Sequence, residues 1–231
     1  MKLYTIGDSW TYGDELVNPK KDSWPSVLSK DLGCELINEA APASSNDWMF
    51  RKTIEWVCTQ NDVSDTLIIV GWSEPNRREE NYQFLIYGKT LWRKLMKYFF
   101  NNELAHYKSI CYMVALQEFL KSRNIKYLFF QPWYDIFGSE NKLQESRDKK
   151  TKWLSHEKDE YQAQCYQDEL TIGNIIKKLD KKNIIGPSIK NYRQEYNSYE
   201  ISNREGKNHP TKEEHKIMSK FIKEKILEVY P

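Results

Sequence analysis

The chain has 231 residues, and its 35 Lys and Arg nearly balance 33 Asp and Glu, for a formal net charge of +2. Charges mixed this evenly set up no field for a polyanion, which argues against nucleic acid as a partner. The longest apolar run, Leu67 to Trp72, is too short to cross a bilayer. The start lacks the charged and apolar blocks of a secretory signal, so a cytoplasmic protein with no membrane partner is expected.

Length and even composition predict one domain over 1–231. Leu3 to Ile6 reads as a short strand that stops at Gly7. Asp22-Ser23-Trp24-Pro25 predicts a helix start with Val27, Leu28 and Leu32 on its apolar face. Glu35 to Asn38 reads as a second strand, followed by the small-residue loop Ala40 to Ser45. Asn46 or Asp47 is expected to cap the next helix, in which Phe50, Ile54, Val57 and Cys58 recur at helical spacing. Thr66 to Val70 is a continuous apolar run, the pattern of a parallel strand buried on both faces. A long helix is expected to end over Ser109 to Lys121, and Ile125 to Phe130 follows as a strand. A weaker helix over Asp168 to Leu179 and a short strand over Asn183 to Ile185 come next. Thr211-Lys212-Glu213-Glu214 is a capping box for a last helix with a stripe of Ile217, Met218, Phe221, Ile222 and Ile226.

Strands alternating with helices predict an α/β three-layer sandwich of flavodoxin-like type around a parallel sheet. Segments 74–105 and 135–165 exceed ordinary connections and predict helical insertions or a lid. In such sheets the ligand sits beyond the carboxyl ends of the strands, at the switch point. Ser9 follows the first strand, Ala40 to Ser45 the second, and Gly71-Trp72-Ser73 the third.

A serine hydroxyl becomes a nucleophile when a base lies within hydrogen-bond reach, and histidine suits that task at neutral pH. Of four histidines, His106 and His156 fall in the expected insertions and His215 lies inside the last helix. His209, held by Pro210 just ahead of that helix, is the candidate base for Ser9. The N–H of Ser9, the N–H groups of the Ala40 to Ser45 loop, and a side chain from Ser73 or Asn76 are candidate oxyanion donors. Asp8, Trp10, Tyr12 and Trp72 share that edge and are candidate substrate contacts. Trp10, Tyr12 and Trp72, with Trp133 and Tyr134, suit an aromatic-lined cleft, or they cover a polar core. Cys34, Cys58, Cys111 and Cys165 lie far apart with no Cys-x-x-Cys pair or Cys/His cluster, and the glycines show no phosphate-cradling pattern, so no metal or cofactor is expected.

This order resembles that of the SGNH (GDSL-type) hydrolases, serine esterases on a flavodoxin-like sheet. Ile6 to Gly13 resembles their first block, with Ser9 in the nucleophile's place. Asn38 to Ser45 is similar to the second block, with Ala43 where a glycine usually gives an oxyanion N–H. Gly71-Trp72-Ser73-Glu74 resembles the third, with Ser73 for the usual asparagine donor. His209-Pro210 resembles the last, so His209 takes the base's place. The family's acid stands three residues before that histidine, where this chain has Gly206. Glu205 would serve if the loop bulges; otherwise the site is a Ser-His dyad. The Gly-Trp-Ser variant resembles members encoded by tailed phages. The resemblance implies an ester hydrolase acting through an acyl-enzyme, with acetyl groups on a carbohydrate as the preferred substrate. The alternative is an inactive glycan-binding or virion-associated relative. The oligomeric state is left open.

Overall fold

The computed structural model describes residues 1–75, 77, 102–130, 174–185 and 209–231, with side chains of the third segment from 105 onward. The expected insertions at 74–105 and 135–165 therefore lie almost wholly outside the described residues, as do Asn76, Glu205 and Gly206. The described elements are β1 (Lys2–Gly7), α1 (Ser9–Tyr12), α2 (Pro19–Asp22), α3 (Trp24–Leu32), β2 (Glu35–Asn38), α4 (Asn46–Thr59) and β3 (Thr66–Gly71). They continue with α5 (Asn102–Ser122), β4 (Lys126–Phe130), a 3-10 turn (Lys181–Asn183), β5 (Ile184–Ile185) and α6 (Lys212–Val229). Residues 174–176 are helical, within the weaker helix expected there.

The five strands form one sheet in the order β2-β1-β3-β4-β5, every pair parallel. This is the doubly wound flavodoxin-like order, with its reversal at β1 and β3. Alternation along the strands feeds two cores on opposite faces. Tyr4, Ile6, Ile68, Val70 and Phe129 meet Met49 and Val57 of α4 and Met113, Leu116 and Leu120 of α5 on one face. Leu3, Leu67, Ile69, Leu128 and Phe130 meet Trp24 and Leu28 of α3 and Met218, Ile222 and Ile226 of α6 on the other. The three-layer α/β sandwich expected from the alternation of elements is thus the observed fold.

Several boundaries shift for local reasons. Ser9 opens a helical turn rather than a loop, because Asp8 in extended conformation accepts the Trp10 N–H at 3.0 Å and Gly13 closes the turn at φ +87. Helix α4 is flanked by Ser45 rather than by Asn46 or Asp47, since Asn46 is turned to other partners described below. Cys58, placed by its spacing on an apolar face, is exposed. The capping box of α6 is present: Thr211 Oγ1 accepts from Glu214 N, and Glu214 Oε2 accepts from Thr211 N at 2.7 Å.

Candidate active site

The carboxyl ends of β1 and β3 are held close by glycine. Gly7 and Gly71 are register partners, and a Cβ on either would collide with the side chain of Thr11 on α1. Their lack of side chains lets α1 fold back over the sheet edge, and that sets Ser9 at the switch point. Ser9 is 4% exposed and is the first residue of the turn. Asp8 takes the N–H groups of Trp10, Thr11 and Tyr12, through its side chain or its carbonyl, and leaves that of Ser9. Among the described residues, the N–H of Ser9 and that of Ala43 are given no acceptor, so both are open donors at this edge. The loop carrying Ala43 is fixed by Ala41 N donating to Gly7 O at 3.1 Å and by Ser44 Oγ donating to Ala41 O at 2.6 Å. Ala43 itself adopts φ +62, the left-handed region that glycine enters freely.

Asp8 lies beneath the site rather than on its wall. It is fully buried; its Oδ2 accepts from Ser73 Oγ at 3.0 Å and pairs with Arg77 Nη1 at 2.9 Å. A hydroxyl has one proton, and Ser73 gives its proton to Asp8, which removes Ser73 from the oxyanion donors named by its place in the sequence. Asn46 completes this layer. Its Oδ1 accepts from Ser73 N at 2.8 Å, and its Nδ2 donates to Ser73 O and Ser109 Oγ, each at 3.0 Å. Arg77 went unmarked, and Asn46 was marked only as a helix cap, because these contacts arise only where β3, α4 and α5 converge.

The aromatic residues separate in the same way. Trp72 is buried against Phe129, ring edge to face with centroids 5.4 Å apart, and Trp10 is buried in the opposite core. Both serve packing, whereas Tyr12, 41% exposed, stays at the surface. It borders a hollow of about 430 Å³ shared with Asn18, Lys20, Ser26, Leu36 and Asn38.

His209 is brought to this edge by the mooring of α6. Lys212 pairs with Asp22 at 3.0 Å, and Trp24 N donates to His215 Nδ1 at 3.1 Å, so the first turn of α6 is tied to α2 and α3. The imidazole then faces the turn that follows Ser9. Its Nδ1 lies 3.1 Å from Glu15 Oε1, and its Nε2 lies 3.8 Å from Asp14 Oδ2. The first distance is within hydrogen-bond range, yet Nδ1 is buried without a bonded partner. Ser9 Oγ makes no hydrogen bond to a described residue, His209 included. Glu15 adopts φ +66, another left-handed conformation without glycine. These two acids escaped a reading that looked for the partner of His209 only just before it in sequence. His215 is fully buried, and burial holds its imidazole down to about 4, with His209 adding to that effect and Asp22 opposing it.

Among the described residues, no group of His, Cys, Asp and Glu side chains is placed to hold a metal ion, and no helix is long and apolar enough to cross a membrane.

A family model described as "Family of unknown function (DUF6071)" matches residues 14–84, a minority of the chain that excludes both Ser9 and His209. No curated protein matches the sequence. Solved structures similar to it include a lipolytic protein of the G-D-S-L family from Desulfitobacterium hafniense, at 17% identity and a TM-score of 0.50, covering 97% of this chain and 98% of that one. A psychrotrophic esterase from Pseudoalteromonas sp., inhibited there by monoethylphosphonate, aligns at 9% identity and a TM-score of 0.54, covering 98% and 97%. An acetylxylan esterase from Geobacillus stearothermophilus aligns at 14% identity and a TM-score of 0.55, covering 97% and 93%. The fold is that of the GDSL-type hydrolases. At these identities the likeness to the GDSL-type structures speaks for the fold and leaves the chemistry to the residues.

Proposed function

We propose that this chain is a GDSL-type serine ester hydrolase of the SGNH superfamily. The observation that carries the reading is Ser9 on the first turn after β1, at the switch point, with its own N–H open and His209 moored at the same edge. Ser9 Oγ attacks the ester carbonyl while His209 takes the hydroxyl proton, and the backbone N–H groups of Ser9 and Ala43 receive the developing oxyanion. The imidazolium then gives its proton to the departing alcohol oxygen, and water releases the acyl group by the same route. Acetyl esters of carbohydrates are the proposed substrates. The hollow beside Tyr12 carries amide, ammonium and hydroxyl side chains suited to sugar hydroxyls, and an acetylxylan esterase shares the fold.

A second reading, a glycan-binding or virion-associated relative that no longer hydrolyses, is favoured by the commitment of Ser73 Oγ to Asp8, which leaves the oxyanion site without that side-chain donor. Hydrolysis of p-nitrophenyl acetate separates the two. The first reading expects turnover that falls to the uncatalysed rate in Ser9→Ala, and by roughly a hundredfold to ten-thousandfold in His209→Ala. Turnover equal in wild type and Ser9→Ala would favour the second.

A further inference from the structure

We propose that Glu15 is the residue that positions His209, in place of an acid from the histidine's own loop. This rests on the reading of Ser9 and His209 as nucleophile and base. His209 Nδ1 is a buried ring nitrogen with no bonded partner, and a carboxylate oxygen of Glu15 stands 3.1 Å from it. A buried polar atom left unpaired is costly, and a small rotation of the ring or carboxylate closes this bond. Closing it fixes the tautomer that catalysis needs: the proton sits on Nδ1, and the lone pair of Nε2 is free to accept from Ser9. At 3.8 Å, Asp14 Oδ2 is too far to hold Nε2 by hydrogen bond.

The backbone gives an independent argument. Glu15 holds φ +66 in a turn where glycine would sit without strain. Its N–H is received by Asp14 Oδ1 at 3.2 Å. Strain of this kind persists where a side chain is required in that place. The turn begins at Ser9, so the nucleophile and the group orienting its base share one short segment, which Asp22–Lys212 and Trp24–His215 tie to the start of α6. Gly206, in the family's acid position, has no side chain to offer. In the reaction the proton from Ser9 goes to Nε2 and on to the leaving alcohol oxygen. The Nδ1 proton stays on Nδ1, facing Glu15 throughout.

Glu15→Gly tests this on the full chain, because it removes the carboxylate and relieves the backbone together. The proposal expects a melting temperature higher by roughly 2 °C, yet a kcat on p-nitrophenyl acetate lower on the order of a hundredfold with KM unchanged. Glu15→Asp should recover part of that loss. Nitrogen-15 spectra of the ring at alkaline pH should give the Nδ1–H tautomer of His209 in wild type and the Nε2–H tautomer in Glu15→Gly, a readout that stands even if the chain hydrolyses nothing. Full activity in Glu15→Gly, an unchanged tautomer, or a larger loss in Glu205→Gln or Asp14→Asn than in Glu15→Gly would overturn it. Absence of turnover in wild type would instead count against the ester-hydrolase reading, and the tautomer would still decide the role of Glu15.

Discussion

Ala43 and Glu15 both hold left-handed backbone without being glycine, one in the loop after β2 and the other in the turn after α1. For Ala43 the φ of +62 belongs to a loop whose neighbouring residues are fixed, Ala41 N on Gly7 O and Ser44 on Ala41 O. Ala43→Gly is therefore expected to raise stability by up to about 1 kcal/mol, the left-handed strain less the added freedom of the unfolded chain. Chemical denaturation checks this, and the N–H survives, so esterase turnover should not fall. The identity of Ser9 and His209 as candidates was legible in the sequence, because each stands beside a strand end or helix start that local pattern marks. The roles of Asp8 and Ser73 were not. A buried carboxylate that caps α1 and collects Ser73 and Arg77 depends on residues 65 and 69 positions away, and no local spacing encodes that.

At the scale of elements, α3 and α6 depend on one buried imidazole. The N-cap residue of α3, Ser23, makes no side-chain cap, and the open Trp24 N–H is instead received by His215 Nδ1. That acceptor exists only while the ring is neutral, with its proton on Nε2. Folding lowers the imidazole from 6.5 to about 4, so the unfolded chain binds the proton first as pH falls. The stability linked to this group is complete above about pH 6.5 and is lost as pH falls toward 4, at up to about 1.4 kcal/mol per pH unit. Urea midpoints across that window should show the slope in wild type, and His215→Gln should flatten it; equal slopes would refute the role. The apolar stripe of α6 was readable from its 3.6-residue period, whereas this link joins residues 191 positions apart. Helix α1 was missed for a different reason. Four residues are too few for a period, and its formation rests on Gly7 and Gly71 yielding space to Thr11.

For the molecule as a whole, the sheet order follows from what each strand can bury. Thr66–Gly71 is buried throughout and takes a place beside β1 inside the sheet, whereas Glu35–Asn38 is partly exposed and takes an edge. That much was present in the sequence as a continuous run against a short, polar-ended one. Trp10 and Trp72 read equally as cleft residues or as core cover, since both follow strand ends, and the two-sided core claims both. What the fold leaves at the switch point is a serine at the start of a turn, two open N–H groups, and a histidine whose ring faces two acids. The central claim is that Ser9 is a nucleophile, and a serine-directed fluorophosphonate tests it most directly. The account predicts a phosphonyl adduct on the peptide carrying Ser9 in the folded wild-type chain, absent from Ser9→Ala and slow to form in His209→Ala. A folded wild-type chain that takes no label at Ser9 at any pH between 6 and 9 would contradict it.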